Sequence, residues 1–353
     1  MKLERFLPHA ALPTLLAVAG LAASLAAAEP APVLPPVIAE ELRGADPTTV
    51  TDLNLAFSKI QDQDLAALKL LKRLQCLDLS STKISDAGLA HLRRLTQLQE
   101  LKLEMEELVS DAGLAHLEPL IQLRVLSLIY TKVGDAGLAH LKPLTQLQDL
   151  YLNGTKVGDA GLEYLKPLTQ LQMLFLESTQ VSDLGLEHLK SLKQLRELNL
   201  SGTHIGDAGI ERLKPLTRLQ ELRLKYTLVT DAGLEHLKSL KQLRLIDLFH
   251  TQVDDAGLAH LEPLTQLQEL DLGGTHVSDA GMVLLKPLTQ LQRLHLSFTK
   301  VGDAGLVHLA SLTQLQELRL STTQVTKAGV DALQTRLPKC HITWKPHREK
   351  VVK

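Results

Sequence analysis

Leucine recurs along this chain on a fixed beat, and the beat changes period within each unit. In Leu147-x-x-Leu150-x-Leu152-x-x-Thr155-x-Val157-x-Asp159-Ala160-Gly161-Leu162-x-x-Leu165, the first half alternates and the second does not. Leu150 and Leu152 flank Tyr151, so both leucines point to one side of a short strand and the tyrosine to the other. From Asp159 the apolar spacing becomes three residues, which predicts a short helix beginning at the aspartate. Its carboxylate is expected to accept from free N–H groups in that helix's own first turn, at the positive helix end. Lys166-Pro167-Leu168 then stops the helix. Thr155 reads as an inward-facing hydroxyl bonded to the backbone where strand turns into loop, with Thr131, Thr179, Thr203, Thr227 and Thr251 in equivalent places.

The unit is written twelve times. Its aspartate recurs at Asp62, Asp86, Asp111, Asp135, Asp159, Asp183, Asp207, Asp231, Asp255, Asp279 and Asp303, with Lys327 in the twelfth place. From 62 to 327 is 265 residues, eleven steps of 24 plus one, and the odd residue sits at Glu104-Met105-Glu106-Glu107-Leu108. No single unit can enclose its own leucines, so neighbours must stack into a continuous core. The expected architecture is an α/β solenoid, with a long parallel sheet on the inner, concave side and short helices on the convex side. Burial of each leucine contributes about 1.5–3 kcal/mol, which several per unit set against the ordering cost.

The phrases Leu-x-x-Leu-x-Leu-x-x-Thr-x-Val and Asp-Ala-Gly-Leu-x-x-Leu resemble leucine-rich repeats over roughly residues 48–344. They are most similar to the 24-residue type of exported planctomycete-like bacterial proteins. The resemblance implies a horseshoe solenoid used for protein–protein recognition. Threonine stands where many such repeats carry asparagine. The Asp-x-Gly-Leu-x-x-Leu phrase is also similar to repeats of F-box adaptors in ubiquitin ligases. The recurrent cysteines of that group are lacking and an export-like leader occupies the F-box position, so an adaptor role is not expected.

The ends differ from the repeats. Lys2 and Arg5 precede an uncharged stretch from Ala10 to Ala28, closed by Ala26-Ala27-Ala28. That is the pattern of a cleaved signal peptide, residues 1–28, and predicts an exported chain, periplasmic or extracellular, with no stable membrane insertion after cleavage. Residues 29–47 read as a proline-bearing spacer. The irregular unit Val50–Leu68 and the segment Leu337–Trp344 read as caps, with Trp344 over the last repeat, and residues 345–353 as a basic disordered tail.

Composition narrows the function by exclusion. Lys and Arg number 38 against 40 Asp and Glu, a net charge of −2 that lacks the basic excess of a nucleic-acid-binding domain. Asp52, Asp78, Glu100, Asp149, Glu197, Glu221, Asp247, Glu269 and Glu317 fall on the strand face and would repel phosphate. Cys76 and Cys340 are too few for a disulfide scaffold. There is no Gly-rich phosphate loop, His-Glu-x-x-His or Gly-x-Ser-x-Gly, so neither an enzyme nor a cofactor is expected. His91, His116, His140, His188, His236, His260 and His308 share one helix position, but Tyr164, Arg212 and Leu284 interrupt them, and no metal site is assigned.

What the fold leaves free are the variable strand positions. Seven of the nine aromatics after the leader lie there: Phe57, Tyr130, Tyr151, Phe175, Tyr226, Phe249 and Phe298. Val125, Ile129, Tyr130, Tyr151, Met173 and Phe175 should form one continuous patch across adjacent strands, about 4.8 Å apart. Arg223, Lys225, Tyr226, Leu245, Phe249 and His250 form a second, mixed patch. Exposed aromatics on such a face suit a protein or peptide partner. A structural cell-envelope element and a glycan-binding module are the alternatives.

Overall fold

A computed structural model describes residues 34–345; the expected signal peptide and nearly all of the basic tail lie outside the described residues. Thirteen three-residue strands pair in sequence order into one open parallel sheet. They are β1 (Asp52–Asn54), β2 (Cys76–Asp78), β3 (Glu100–Lys102), β4 (Val125–Ser127), β5 (Asp149–Tyr151), β6 (Met173–Phe175), β7 (Glu197–Asn199), β8 (Glu221–Arg223), β9 (Leu245–Asp247), β10 (Glu269–Asp271), β11 (Arg293–His295), β12 (Glu317–Arg319) and β13 (His341–Thr343). Register steps by one whole repeat, so Leu150 sits between Leu126 and Leu174. The central residue of β1 to β12 is buried and that of β13, Ile342, half-buried; their neighbours alternate to the other side, as the strand period requires, although Ser127 and Asn199 there are covered. Behind the sheet, Leu150, Leu152, Val157, Leu162, Leu165, Leu168 and Leu171 of one repeat are all fully enclosed, and their equivalents continue the same core.

On the other face most repeats carry a short α-helix passing into a 3₁₀ turn, such as Asp159–Leu162 followed by Glu163–Leu165, while Asp62–Leu70 and Gly185–Ser191 are 3₁₀ throughout. That turn ends at Leu165; Lys166 keeps helical dihedrals, with φ −50° and ψ −39°, but Pro167 has no N–H with which to continue the helix. In two of the repeats where serine replaces the proline the 3₁₀ segment runs further, to Ser191 and Ser239. The threonine expectation holds: Thr155 Oγ1 donates to Leu152 O at 2.6 Å and Thr179 Oγ1 to Leu176 O at 2.7 Å, both buried.

The aspartate does something other than expected. Asp159 is the first helical residue, but its carboxylate does not cap its own helix. It accepts from Ser182 N at 2.7 Å and Ser182 Oγ at 2.6 Å, in the next repeat. All eleven aspartates repeat the first bond at 2.6–2.9 Å. The glycine of the following Asp-x-Gly makes this possible: a Cβ on Gly185 would lie 2.5 Å from Asp159 Oδ1. The aspartates are therefore a longitudinal stitch between repeats.

Both termini of the described region are closed. Residues 36–42, expected within a spacer, instead form helix α1 (Pro36–Leu42), with Ile38 and Leu42 buried against the first repeat. Proline at the helix start has no N–H to satisfy and its φ is already helical, so Pro36 begins this helix without cost. At the far end Ile342 of β13 pairs with Leu318, and Trp344 Nε1 donates to Val325 O at 3.0 Å, lidding the last repeat as expected. The extra residue of the third repeat bulges at Glu107 and Leu108, while Glu106 turns inward to the place threonine holds elsewhere. There its carboxylate accepts from Thr82 N–H, and burial pushes its pKa above the usual glutamate range.

Candidate functional site

The sheet face is a grid of rows, each row gathering the same position of successive strands. The row before the central leucine runs Val125, Asp149, Met173, Glu197, Glu221, Leu245. The row after it runs Ser127, Tyr151, Phe175, Asn199, Arg223, Asp247. Tyr151 and Phe175 meet edge to face, with ring centroids 5.1 Å apart at 79°. Such pairs contribute about 0.5–1.5 kcal/mol beyond their burial. Tyr151 Oη lies 3.5 Å from Met173 Sδ. The guanidinium of Arg223 reaches back across Asn199 to within 5.8 Å of the Phe175 ring, joining the first patch although the sequence placed it in the second. Glu221 holds it there at 2.7 Å.

The continuous apolar patch expected from the sequence is divided. Asp149 stands between Val125 and Met173 in its row. Ile129 is half-buried beyond the end of β4, and Tyr130 lies past it in the turn. Tyr130 is one of twelve equivalent residues with φ between 54° and 69°, a set that also includes Phe57, Tyr226, His250 and Phe298 alongside Gly154, Gly202 and Gly274. Thus four of the seven aromatics taken as strand-borne sit in the left-handed turn after the strand. The turn is forced because its N–H must still reach the next rung: Tyr130 N donates to Asn153 O at 2.8 Å. The Tyr130 ring lies over Gly154, where a Cβ would collide with it, leaving the other side in solvent at 57% exposure.

The second patch is tighter. Tyr226 and His250 stack at 5.1 Å and 11°, and Phe249 meets each edge-on at 5.5 and 4.4 Å. Lys225 Nζ lies 5.6 Å from the Tyr226 ring and 5.4 Å from Phe249. Gly273 and Gly274 leave room for Phe249 and His250 on the next rung. Beside this patch a shallow hollow of about 110 Å³ is lined by Arg223, Leu245, Asp247, Asp271, Arg293 and His295, among others.

Charges on this face are mostly satisfied locally. Glu100 pairs with Lys102 at 2.8 Å, Glu317 with Arg319 at 2.6 Å, Asp271 with His295 at 3.0 Å, and Glu269 with Arg293. Asp78 and Asp247 accept backbone N–H groups two residues on, and Asp52 the Thr51 hydroxyl. Among the described residues of these two rows, Asp149 and Glu197 alone have no hydrogen-bond or ion-pair partner. Burial raises the pKa of both; Glu100 adds to the effect at Asp149, and at Glu197 Glu221 and Asp149 add to it while the Arg223 charge opposes it. The two thiols, Cys76 and Cys340, are pushed up to about 11 by burial and offer little thiolate at neutral pH. On the helix face, His140 Nδ1 lies 2.6 Å from Glu118 of the preceding repeat. Among the described residues no group of three or more candidate metal ligands comes together, and no helix is long and apolar enough to cross a membrane.

A family model described as a leucine-rich repeat region matches residues 84–348, three quarters of the chain. The chain is a leucine-rich repeat protein. A second model, described as a leucine rich repeat, matches residues 46–69 and 73–92. Among solved structures, this leucine-rich repeat protein is similar to an internalin (inlF) from Listeria monocytogenes, with 23% identity and a TM-score of 0.60. That match covers 80% of this chain and 92% of the internalin. It is also similar to the TLR13–ssRNA13 complex, at 19% identity and a TM-score of 0.61, covering 85% of this chain but only 44% of the other. At these identities the likeness establishes the leucine-rich repeat fold, with the sheet on the concave face and short helices on the convex one. No curated protein matches the chain. A leucine-rich repeat fold suggests a protein–protein interaction scaffold.

Proposed function

We propose that this chain is an exported, non-enzymatic scaffold that holds a protein or peptide partner on its sheet face. The observation that carries the reading is the pairing of Tyr151 and Phe175 on adjacent strands of a face whose other strand positions are mostly charged or polar. Aromatic anchors supply large contact area at low entropic cost, and a rigid sheet fixes their geometry before a partner arrives. The second group, Lys225, Tyr226, Phe249 and His250, would extend the contact toward later repeats. Export rests on the charged start, the apolar stretch and the small-residue cut pattern of residues 1–28.

Replacing both anchors, Tyr151→Ala with Phe175→Ala, should weaken partner capture from an envelope extract by more than about 2 kcal/mol. Thermal unfolding should change little, since neither ring belongs to the leucine core. Capture that survives the double substitution unchanged refutes this use of the face.

A further inference from the structure

Resting on that reading of the face, we propose that the partner presents a basic segment. One of its lysine or arginine side chains would lie against Tyr151 and Phe175, with Asp149 and Glu197 as its counter-charges. Two independent features of the site point the same way. The first is the aromatic pair, whose ring faces carry the negative end of their quadrupole and attract cations. Arg223 already occupies one side of Phe175 at 5.8 Å, so this ring accommodates a guanidinium within the protein's own packing. The second is the charge pattern. Every other carboxylate in the two rows flanking the central leucines has a partner, whereas Asp149 and Glu197 have none among the described residues.

These two carboxylates share a row, separated by Met173, with two strand spacings or about 10 Å between them. Both flank β6, which bears Phe175, and Asp149 and Tyr151 are on the same strand. Half-burial costs each carboxylate solvation, and their like charges add to that cost, so an incoming cation is favoured twice. An acidic segment would be repelled by the same two charges, of which Glu197 alone is partly offset, by Arg223. Coulomb attraction sets orientation as well as affinity, because the cation must sit between the row of acids and the row of rings.

The test uses the full-length chain and three fluorescent probe peptides of equal length: hexaarginine, hexaglutamate and a neutral glycine–serine hexamer, at physiological salt. Hexaarginine should bind, and Asp149→Asn with Glu197→Gln should weaken it by about tenfold or more. Tyr151→Ala with Phe175→Ala should weaken it similarly. A control pair on the helix face, Glu163→Gln with Glu211→Gln, removes the same charge elsewhere and should change binding less than about twofold. Asp149→Lys with Glu197→Lys should transfer the preference to hexaglutamate. The inference is overturned if the Asn/Gln pair leaves hexaarginine binding intact, if the helix-face control weakens it as much, or if the neutral peptide or maltohexaose competes equally. Failure of the broader reading looks different. If envelope-extract capture depends on Tyr151 and Phe175 but not on Asp149 and Glu197, the face binds a partner that is not basic. If it depends on neither pair, the face itself is wrong.

Discussion

The stitch between repeats makes a sharp prediction at Asp159 and Gly185. Asp159→Ala removes two hydrogen bonds to a charged acceptor and strands the N–H and hydroxyl of a half-buried Ser182. Bonds to charged groups contribute about 1.5–3 kcal/mol each, and the two share one carboxylate, so a loss of about 3 kcal/mol is expected. Gly185→Ala acts on the same contact from the other side. The new methyl would fall 2.5 Å from Asp159 Oδ1 and 3.1 Å from Leu162 Cδ1, in a fully enclosed spot. Overpacking of this kind costs about 1–3 kcal/mol. Once Asp159 is alanine the nearest obstruction is gone, while the Cα of residue 159 and Leu162 Cδ1, each 3.1 Å away, remain; against them alanine gains up to about 1 kcal/mol over glycine in a helical segment. The double variant should therefore lose less than the two single costs added. Urea unfolding of the four proteins, with slopes compared so that only midpoints are interpreted, measures the coupling. Hydrogen exchange at the Ser182 amide reports the same bond locally. Additive costs would refute the argument, because they would mean Gly185 and Asp159 do not compete for one space.

Further outcomes follow from the same physics. Leu150 is fully enclosed, and Leu150→Ala should cost about 2–5 kcal/mol in a urea melt; hydrogen exchange should place most of the loss in repeats four to six, since stability in a solenoid is shared between neighbours. A melt matching the parent would mean the leucine is not packed. Glu106 has its pKa raised by burial, so the folded state holds that proton more tightly than the unfolded one. Its contribution is therefore best below the ordinary glutamate pKa and is lost as pH rises through the raised value. Glu106→Gln should match the parent near about pH 4 and exceed it in thermal stability near neutrality; a gap that is constant with pH would refute this by showing that the carboxyl has the same pKa folded and unfolded.

How much of this was legible in the chain depends on how far each interaction reaches. Leu150, Leu152 and Thr155 announce their roles through local period alone, because their partners lie within the same repeat or at the same position of the next. Asp159 misleads for a related reason. A carboxylate before Ala-Gly-Leu could serve its own helix or the next repeat's Ser182, and both readings supply the same kind of donor. Only the missing Cβ of Gly185, 26 residues on, separates them. The left-handed turn was hidden by its occupants: Gly154, Gly202 and Gly274 signal it, but Tyr130, Tyr226 and Phe298 occupy the same place. Those residues bear a backbone cost of about 1–2 kcal/mol in that region, which the continued ladder of bonds to the next rung offsets. Pro35 and Pro36 looked like spacer residues, yet Ile38 and Leu42, four apart, were the amphipathic signature of a capping helix.

The candidate face was half legible in the same sense. Tyr151 and Phe175 stand out by type, but the isolation of Asp149 emerges only when strands are laid in register. Ion-paired carboxylates here use two routes: a cation two residues along the same strand, as in Glu100–Lys102, Glu221–Arg223 and Glu317–Arg319, or one on the adjacent strand, as in Glu269–Arg293 and Asp271–His295. For Asp149 the first route is closed by Tyr151 and the second by Val125 and Met173. For Glu197 they are closed by Asn199, Met173 and Glu221. The residues that create the apolar group are thus largely those that displace the cations. The aromatic pair and the unpartnered charges are one feature, and a ligand complementary to either should be complementary to both.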